Sequence, residues 1–312
     1  MSRLLLVVVL LLSLLGAGVA PSVAQSVANG PKPAPPAAPA AASVPSTSPV
    51  KLTLPVKDGS VRFAAMGDSG TGGKGQQQVA DMMVRYWQSF PYEFVLMMGD
   101  NMYGGESPKD FEEKFSNVYR PLLDGKVKFY AALGNHDRAL QANYEHFNMN
   151  GKEYYRFKKN NVAFYALNSN YMDKKQLEWL QKELALDTSE WKVCFFHHAP
   201  YSSAKSHGSD DGLRKVLEPI FVQYGVNLVL TGHDHIYERV KPQKGIYYFV
   251  SGAAGKLRKG DIDKSSPLTD KGYDQDLHFM LFEVVDDQLY FQAISRTGAT
   301  IDSGVMARQK KN

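Results

Sequence analysis

Five apolar segments of this chain each end in a short polar loop, and this recurrence constrains the fold more than any other feature of the sequence. The segments are residues 61–66, 94–98, 127–133, 193–196 and 226–230. The loops that follow them begin with Gly67-Asp68, Gly99-Asp100, Gly134-Asn135-His136-Asp137, His197-His198 and Thr231-Gly232-His233-Asp234-His235. Short continuous apolar runs are typical of strands buried on both faces. Because sites of α/β sheets form where the carboxyl ends of strands meet, the pattern predicts an α/β protein whose polar loops converge.

The segments between these strands carry helical signals. One helix is predicted after the first strand, from the spacing of Val79, Met82, Met83, Tyr86 and Phe90. A second is predicted to begin at an Asp173 N-cap, with Gln176 three residues later. A third lies around residues 213–224, where Pro219 either kinks the helix or marks its start. Further strands are predicted at residues 154–157, 162–167, 247–250, 278–285 and 289–294.

The N-terminal region has the pattern of an exported protein. Arg3 precedes an apolar run at residues 4–15, and Ser22-Val23-Ala24 fits a signal-peptide cleavage site, so residues 1–24 are predicted to be removed. The run is shorter than the ~20 residues that a membrane-spanning helix needs. Residues 25–50, rich in Pro, Ala and Ser, are predicted to form a disordered linker. We therefore expect a secreted or periplasmic protein with no membrane span in its mature chain.

Charge and cysteine content narrow the classes of function. The chain carries 36 basic and 32 acidic side chains, a formal net charge of +4, which does not suit an extended nucleic-acid-binding stripe, so no nucleic-acid partner is expected. The single cysteine, Cys194, excludes an intrachain disulfide and is expected to be buried. A basic cluster, Lys256, Arg258 and Lys259, is interpreted as a solvated loop, the alternative being that it lines a pocket and attracts phosphate. The sequence leaves the oligomeric state open.

The polar loops contain oxygen and imidazole donors in a number that suits two metal ions. The candidate ligands are Asp68, Asp100, Asn135, His197 or His198, His233 and His235. This mixture favours Zn, Fe or Mn over a metal that prefers thiolate. Six or seven donors exceed one tetrahedral site, and two-metal hydrolases hold their ions about 3.5–4 Å apart with a shared carboxylate. Glycine before several donors lets the backbone turn sharply and approach the metals.

The order of these motifs resembles the metallophosphoesterase family, and within it the purple acid phosphatases, including the tartrate-resistant type. The matching motifs are Asp68-x-Gly70, Gly99-Asp100-x-x-Tyr103, Gly134-Asn135-His136-Asp137, His197 and Gly232-His233-x-His235. Gly70 stands where most metallophosphoesterases have a histidine, and Tyr103 supplies a phenolate that most of them lack. The resemblance implies a single catalytic domain at residues 51–312, a calcineurin-like β-sandwich of two mixed sheets flanked by helices.

The resemblance also assigns roles to individual residues. It implies a ferric ion held by Asp68, Asp100, Tyr103 and His235. It implies a divalent ion, Fe, Zn or Mn, held by Asn135, His197 and His233, with Asp100 bridging the two metals. It places His136 near the substrate phosphate. His207, in the loop after the fourth motif, is expected to help bind phosphate or protonate the leaving group.

The adjacent histidines after the fourth strand leave a choice of ligand. The spacing to Tyr201-Ser202-Ser203 favours His197, although Cys194 stands where the family usually has valine. Successive side chains of a strand point to opposite faces, so only one of the two histidines can face the metals. His198 is therefore expected to pack against the other face of the sheet or against the loop above.

These features predict a metal-dependent phosphoric ester hydrolase of the acid phosphatase type, acting on a small phosphomonoester. Two cations make hydroxide available near neutral pH as the attacking nucleophile, and they stabilise the charge of the transition state. A phosphodiesterase or nucleotide pyrophosphatase using the same metals is the alternative. A non-catalytic phosphate-binding protein is a third hypothesis, and retention of the whole donor set argues against it.

Overall fold

The computed structural model describes residues 49–308 of the chain. The predicted signal peptide at residues 1–24 and all but the last two residues of the predicted linker at 25–50 lie outside the described residues. Within the described part, no helix is both long enough and apolar enough to cross a membrane.

Between residues 49 and 308 the chain forms two β-sheets. The strands, in chain order, are β1 (Val61–Met66), β2 (Phe94–Met98), β3 (Lys128–Ala132), β4 (Tyr155–Lys159), β5 (Val162–Ala166), β6 (Trp191–Phe196), β7 (Leu228–Thr231), β8 (Tyr237–Gln243), β9 (Ile246–Ser251), β10 (Thr269–Tyr273), β11 (His278–Val285), β12 (Gln288–Ser295) and β13 (Thr300–Ala307). The first sheet has the order β13-β12-β11-β1-β2-β3, and the second has the order β10-β8-β9-β7-β6-β5-β4. Both sheets are mixed.

The five apolar segments that precede the polar loops are all strands. β1, β2 and β3 are adjacent and parallel in the first sheet, and β6 and β7 are adjacent and parallel in the second. β2 and β7 are buried along their whole length, as their uninterrupted apolar sequences predict. The predicted bounds of β1 and β2 match the observed bounds. Those of the other three differ by two residues or fewer at each end.

The two sheets pack face to face on an aromatic core. Phe164 of β5 makes edge-to-face contacts with Phe63 of β1 and Phe94 of β2, with ring centroids 5.2 and 5.1 Å apart. Along β6, Val193 and Phe195 join this inner core, whereas Cys194 and Phe196 belong to a second cluster on the opposite face. This alternation follows from the strand period of two. The predicted sandwich and the predicted burial of Cys194 are confirmed.

Helices pack against the outer faces of the sandwich. They are α1 (Lys74–Ser89), α2 (Pro108–Phe111), α3 (Arg120–Asp124), α4 (Lys174–Leu186) and α5 (Asp211–Tyr224). α4 and α5 place apolar side chains such as Leu180 and Phe221 in the outer cluster of the second sheet. Asp173 caps α4 as predicted, because its side chain accepts a hydrogen bond from the Gln176 amide at 2.8 Å. Pro219 lies inside α5, so the alternative that it marks the helix start is wrong.

Three strands were not predicted, and each lacks a clear apolar pattern. β10 and β13 are the outer strands of their sheets, where one edge faces no partner strand, and their sequences are largely polar. β8 contains Pro242 beside a shift in its pairing register with β9. Pairing with a neighbouring strand, rather than local pattern, determines these three elements.

The contact that Phe164 makes across the sandwich gives a test of stability. Phe164→Ala should lower the free energy of unfolding by about 3–5 kcal/mol, because it leaves a cavity between the sheets. Denaturant unfolding of the purified protein measures this. Tyr171→Ala, at a side chain that is 76% exposed, is the control and should change stability by no more than about 0.5 kcal/mol. Equal effects of the two substitutions would contradict a core that joins the sheets at Phe164.

Candidate metal centre

The predicted ligands follow the carboxyl ends of strands from both sheets, and close backbone packing brings them together. A Cβ atom at Gly134 would lie 2.2 Å from Asp100 Oδ1, and one at Gly232 would lie 2.5 Å from Asp68 Oδ2. Both positions therefore require glycine, because any side chain would collide with a predicted ligand. The polar loops converge, as the sequence predicted.

The sharp turns at these strand ends are made mainly by the donor residues themselves. Asp68, Asp100 and His233 have left-handed backbone conformations, with φ of 58°, 50° and 69°. Residues other than glycine adopt this region rarely, and such strain is concentrated at functional sites. Of the four glycines that precede donors, only Gly99 has positive φ. Of the two expected roles of these glycines, positive φ therefore applies to Gly99, whereas close approach to the ligands applies at Gly134 and Gly232.

One group of donor atoms comprises the side chains of Asp68, Tyr103 and His235. The Tyr103 hydroxyl lies 3.1 Å from Asp68 Oδ1 and 3.3 Å from His235 Nε2. His235 Nε2 is in turn 3.3 Å from the same Asp68 oxygen. Asp68 is fully buried, and its other oxygen accepts a hydrogen bond from the His233 amide at 2.9 Å. These three side chains, the first cluster, match the ferric ligands that the resemblance implies, without Asp100.

A second group of donor atoms comprises the side chains of Asn135, His197 and His233. His197 Nε2 lies 2.9 Å from Asn135 Oδ1 and 3.1 Å from His233 Nδ1. Asp100 Oδ1 is 3.4 Å from the same His197 nitrogen, and donor atoms of Asp100, Asp68 and His197 all lie within 4.8 Å of one another. Asp100 therefore lies between this second cluster and the first cluster, the position that a bridging ligand requires.

The hydrogen-bond chemistry of the second cluster fits a cation. His197 Nδ1 is 3.0 Å from the Met98 carbonyl oxygen, which can only accept, so in the neutral ring the proton lies on Nδ1 and Nε2 presents a lone pair. That lone pair faces acceptor oxygens of Asn135 and Asp100. Asp100 and His197 are buried, and acceptors that face one another away from water are unfavourable unless a cation lies among them. Their chemistry suits Zn, Fe or Mn.

Burial sets the protonation of the donors. Burial, and then the charges of neighbouring histidines, lower the pKa of His233 to about 2. Burial, and then Arg258 and Lys256, lower the pKa of His235 to about 4. Both imidazoles are therefore neutral near pH 7, which is the form that binds metals. Burial, and then the Asp68 and Asp100 carboxylates, raise the pKa of Tyr103, so its phenolate form requires a cation beside it.

His198 lies beside the second cluster and does not pack on the opposite face of the sheet. Its ring is 4.5 Å from that of His233, and its Nδ1 is 2.8 Å from Ser169 Oγ in the loop after β5. β6 ends at Phe196, so strand alternation does not apply to the two histidines, and both have a donor atom within 4.8 Å of one from His233. The predicted position on the opposite face is therefore wrong, and of the two predicted positions only packing against a loop agrees with the contact to Ser169. Burial, and then His197, lower the pKa of His198 to about 4.

An open cavity of about 400 Å³ adjoins the second cluster. It is lined by Asn135, Asp137, Ser169, Asn170, Tyr171, His198 and Asp210. The loop of residues 168–171 was not predicted to contribute to the site, because its polar residues carry no motif and are brought there only by the fold. The cavity gives a ligand access to the donor atoms from solvent.

The two predicted catalytic histidines lie at the edges of the donor clusters. The exposed His207 ring is 4.2 Å from the ring of His233, and the exposed His136 ring is 5.0 Å from the ring of Tyr103. The His136 amide also donates to Asp100 Oδ1 at 3.0 Å. Each histidine can therefore reach a ligand bound over one of the clusters, whereas neither is needed to complete it.

Asp137 is a supporting residue whose role the sequence motif did not reveal. Its carboxylate accepts backbone hydrogen bonds from Gly134, Asn101 and Met102 at 2.8, 3.1 and 3.0 Å. It therefore joins the loop after β2 to the loop after β3. Burial raises the pKa of Asp137 to about 7. Its place in the Gly-Asn-His-Asp sequence was the available signal, but contacts to the backbone of another loop cannot be read from spacing.

The basic loop after β9 lies against the first cluster. Lys256 Nζ is 3.4 Å from the centroid of the Tyr103 ring. The Arg258 amide donates to the carbonyl oxygen of His235 at 3.0 Å. The interpretation of this segment as an ordinary solvated loop is therefore wrong for Lys256, because its ammonium is packed on a predicted metal ligand.

Comparison with known protein families matches the arrangement to one of them. The calcineurin-like phosphoesterase family model matches residues 61–237, which include β1 through the start of β8 and every predicted ligand. The chain belongs to the calcineurin-like phosphoesterase family.

Two relatives similar to this phosphoesterase are acid phosphatases of a plant and a mammal. The chain is 31% identical over 245 residues to purple acid phosphatase 17 of Arabidopsis thaliana, covering 66% of this chain and 72% of the relative. It is 31% identical over 248 residues to tartrate-resistant acid phosphatase type 5 of Oryctolagus cuniculus, covering 65% of this chain and 76% of the relative. The predicted resemblance to purple acid phosphatases is confirmed, and these relatives imply a binuclear metal site in this phosphoesterase.

Solved structures show the same fold. Purple acid phosphatase PPD1 from yellow lupin (Lupinus luteus) seeds superposes with a TM-score of 0.69 at 18% identity, covering 82% of this chain and 55% of the lupin chain. This chain thus spans about half of the lupin protein. GAP50, described as the anchor in the inner membrane complex of Plasmodium, superposes with a TM-score of 0.68 at 20% identity. The match covers 81% of this chain and 90% of the GAP50 chain. The metallophosphoesterase sandwich is therefore shared with an enzyme and with an anchor.

The contacts of the adjacent histidines predict different effects of their removal. His197→Ala should remove most of the metal of the second cluster and leave the metal of the first, because His197 is buried and faces both Asn135 and Asp100. His198→Ala should retain two metals per chain and weaken metal binding at the second cluster by no more than about 10–100-fold, as for loss of a supporting contact. Metal stoichiometry by mass spectrometry measures both, with thermal melts to exclude misfolding. Loss of the second-cluster metal from His198→Ala alone would assign the ligand to His198.

Proposed function

We propose that this phosphoesterase is a secreted acid phosphatase that hydrolyses small phosphomonoesters with a binuclear metal centre. The observation that carries the proposal is the pair of donor clusters, which share Asp100 and include Tyr103 in one of them. Sequence similarity to acid phosphatases from a plant and a mammal supports it. In this proposal residues 1–24 form a signal peptide, residues 25–50 form a linker, and residues 51–312 form the catalytic domain.

The donor types support an iron ion in the first cluster and a divalent Fe, Zn or Mn ion in the second. A tyrosine oxygen and a carboxylate are hard anionic donors, which favour a trivalent ion. The second cluster supplies two neutral imidazoles and an amide oxygen, which suit a divalent ion. When bound, the two metals supply an activated nucleophile and neutralise the charge of the phosphoryl group.

The remaining residues orient the ester and assist the leaving group. His136 and His207 stand beside different clusters, so each can hydrogen-bond to the phosphate from its own side. His207 is exposed at the edge of the second cluster, where it can donate a proton to the departing alkoxide oxygen. The open cavity beside Asn135 and His198 accommodates the alcohol portion of the ester.

The similarity to GAP50 makes a non-catalytic role the second candidate. That protein is described as an anchor, and at 20% identity the likeness concerns the fold alone. The mutual contacts of the acidic, tyrosine and histidine donors favour catalysis, because an anchoring surface does not need convergent buried acceptors.

The tyrosine in the first cluster predicts a visible colour. If Tyr103 binds Fe(III) as a phenolate, the purified protein absorbs visible light through charge transfer from tyrosine to iron. Tyr103→Phe should abolish this absorption while the chain remains folded. Tyr171→Phe, at an exposed tyrosine outside both clusters, is the matched control and should keep it. A colourless wild type that contains iron would remove Tyr103 from the ligand set.

A substrate panel tests the type of hydrolysis. The wild type should hydrolyse p-nitrophenyl phosphate at acidic pH with a kcat/KM at least roughly tenfold above that for bis-p-nitrophenyl phosphate and ATP, a difference of about 1.4 kcal/mol. Asp100→Asn should lose nearly all turnover, because Asp100 is the donor that lies between the two clusters. Preference for the diester or for ATP would support the phosphodiesterase or pyrophosphatase alternative. Phosphate binding without turnover of any ester would support the non-catalytic one.

A further inference from the structure

Lys256 holds a positive charge at the first cluster without an acidic partner. Its Nζ lies 3.4 Å from the centroid of the Tyr103 ring, and its side chain is half-buried. Among residues 49–308, no carboxylate forms an ion pair with it, whereas the nearby Arg258 has Asp261 at 3.9 Å. A partly desolvated ammonium that packs on a ring face, with no hydrogen bond or ion pair to another group of residues 49–308, retains unused hydrogen-bond donors.

The backbone around Lys256 is fixed to the loops that carry the predicted metal ligands. Amide groups of the segment from Gly252 to Arg258 donate to carbonyl oxygens of those loops at 3.0–3.1 Å. The pairs are Gly252 to Ile236, Ala254 to Gly67, Gly255 to Asp68 and Arg258 to His235. These bonds on both sides of Lys256 set its position relative to the donor clusters.

The packing at Gly255 shows how closely this loop approaches the site. A Cβ atom at Gly255 would lie 2.2 Å from the carbonyl oxygen of Ser69, next to the ligand Asp68. The residue before Lys256 is therefore restricted to glycine by contact with a ligand loop. A loop that only carried charge to improve solubility would not require such an approach.

Stacking on Tyr103 engages the charge of the Lys256 ammonium but not its hydrogen-bond donors. A cation–π contact attracts the charge of the ammonium to the ring face but leaves its N–H donors free. An ammonium is a compact point charge with three donors that can turn toward a phosphate oxygen. The exposed His136 ring also contacts this tyrosine, so both the lysine and this histidine lie next to Tyr103.

We propose that Lys256 is a substrate-binding residue, whose ammonium binds a non-bridging oxygen of the phosphate group on the Tyr103 side of the centre. This inference rests on the proposed phosphatase function. The non-bridging oxygens carry negative charge in the substrate, in the transition state and in inorganic phosphate. Lys256 therefore contributes to binding in all three, so its loss raises KM and the inhibition constant of phosphate more than it lowers kcat.

The test compares holoenzyme variants at one loop. Lys256→Met removes the charge at similar length, Lys256→Arg keeps it, and Lys259→Met removes an exposed charge from the same segment. Inorganic phosphate is the probe, measured as a competitive inhibitor and directly by isothermal titration calorimetry. Lys256→Met should weaken phosphate binding by about 10- to 100-fold, as for loss of a charge-assisted hydrogen bond. Lys256→Arg should retain most of the affinity, and Lys259→Met should match the wild type.

Metal content, the visible spectrum and thermal melts of the same variants separate this role from others. A Lys256→Met protein with wild-type phosphate affinity overturns the inference, and a spectral change in that protein would assign the lysine to stacking on Tyr103 alone. Loss of metal or equal destabilisation in both Lys256→Met and Lys256→Arg also overturns it, in favour of a structural role. Lys256→Gln repeats the comparison if methionine impairs folding. A wild type that neither binds phosphate nor hydrolyses any ester instead refutes the proposed function, and the inference with it.

Discussion

Two carboxylates buried next to each other, Asp68 and Asp100, are the constraint on which the rest of the site depends. Burial raises the pKa of Asp68 well above its usual range, the charge of His197 lowers it in part, and the charge of Asp100 raises it. The nearby imidazoles of His233 and His235 are neutral near pH 7, so they supply no positive charge. Bound cations would therefore stabilise the ionised carboxylates, and the surrounding acceptors are arranged to receive them.

Each donor cluster draws on both sheets, which ties the site to the integrity of the sandwich. The first cluster combines residues after β1 and β2 of one sheet with a histidine after β7 of the other. The second cluster combines a residue after β3 with histidines after β6 and β7. A shift of one sheet relative to the other would separate the donors of both clusters. The aromatic contacts of Phe164 across the core oppose that shift.

The sequence predicts the parts of the molecule that local pattern determines. Continuous apolar runs ending in polar loops are sufficient to find β1, β2, β3, β6 and β7, and with them the convergence of the predicted ligands. Contacts between residues that are far apart in the sequence cannot be predicted from local pattern. The ring of His198 turns toward Ser169 after its strand has ended, and Lys256 meets Tyr103 through a loop fixed by backbone bonds. The partly polar strands β8, β10 and β13 were missed because pairing determines them.

The glycine contacts also bear on how such a site can diversify. Side chains at Gly134 or Gly232 would collide with the carboxylates, so single substitutions there displace predicted ligands. In the cavity wall, Ser169 and Asn170 hydrogen-bond to His198 and to the Gly134 carbonyl, whereas the largely exposed Tyr171 has no comparable restriction. Descendants of this sequence can therefore exchange Tyr171 and alter which alcohols they accept, while keeping the same metal ligands. The residues that can vary and the residues that the metal centre requires therefore lie in different loops of the same sandwich.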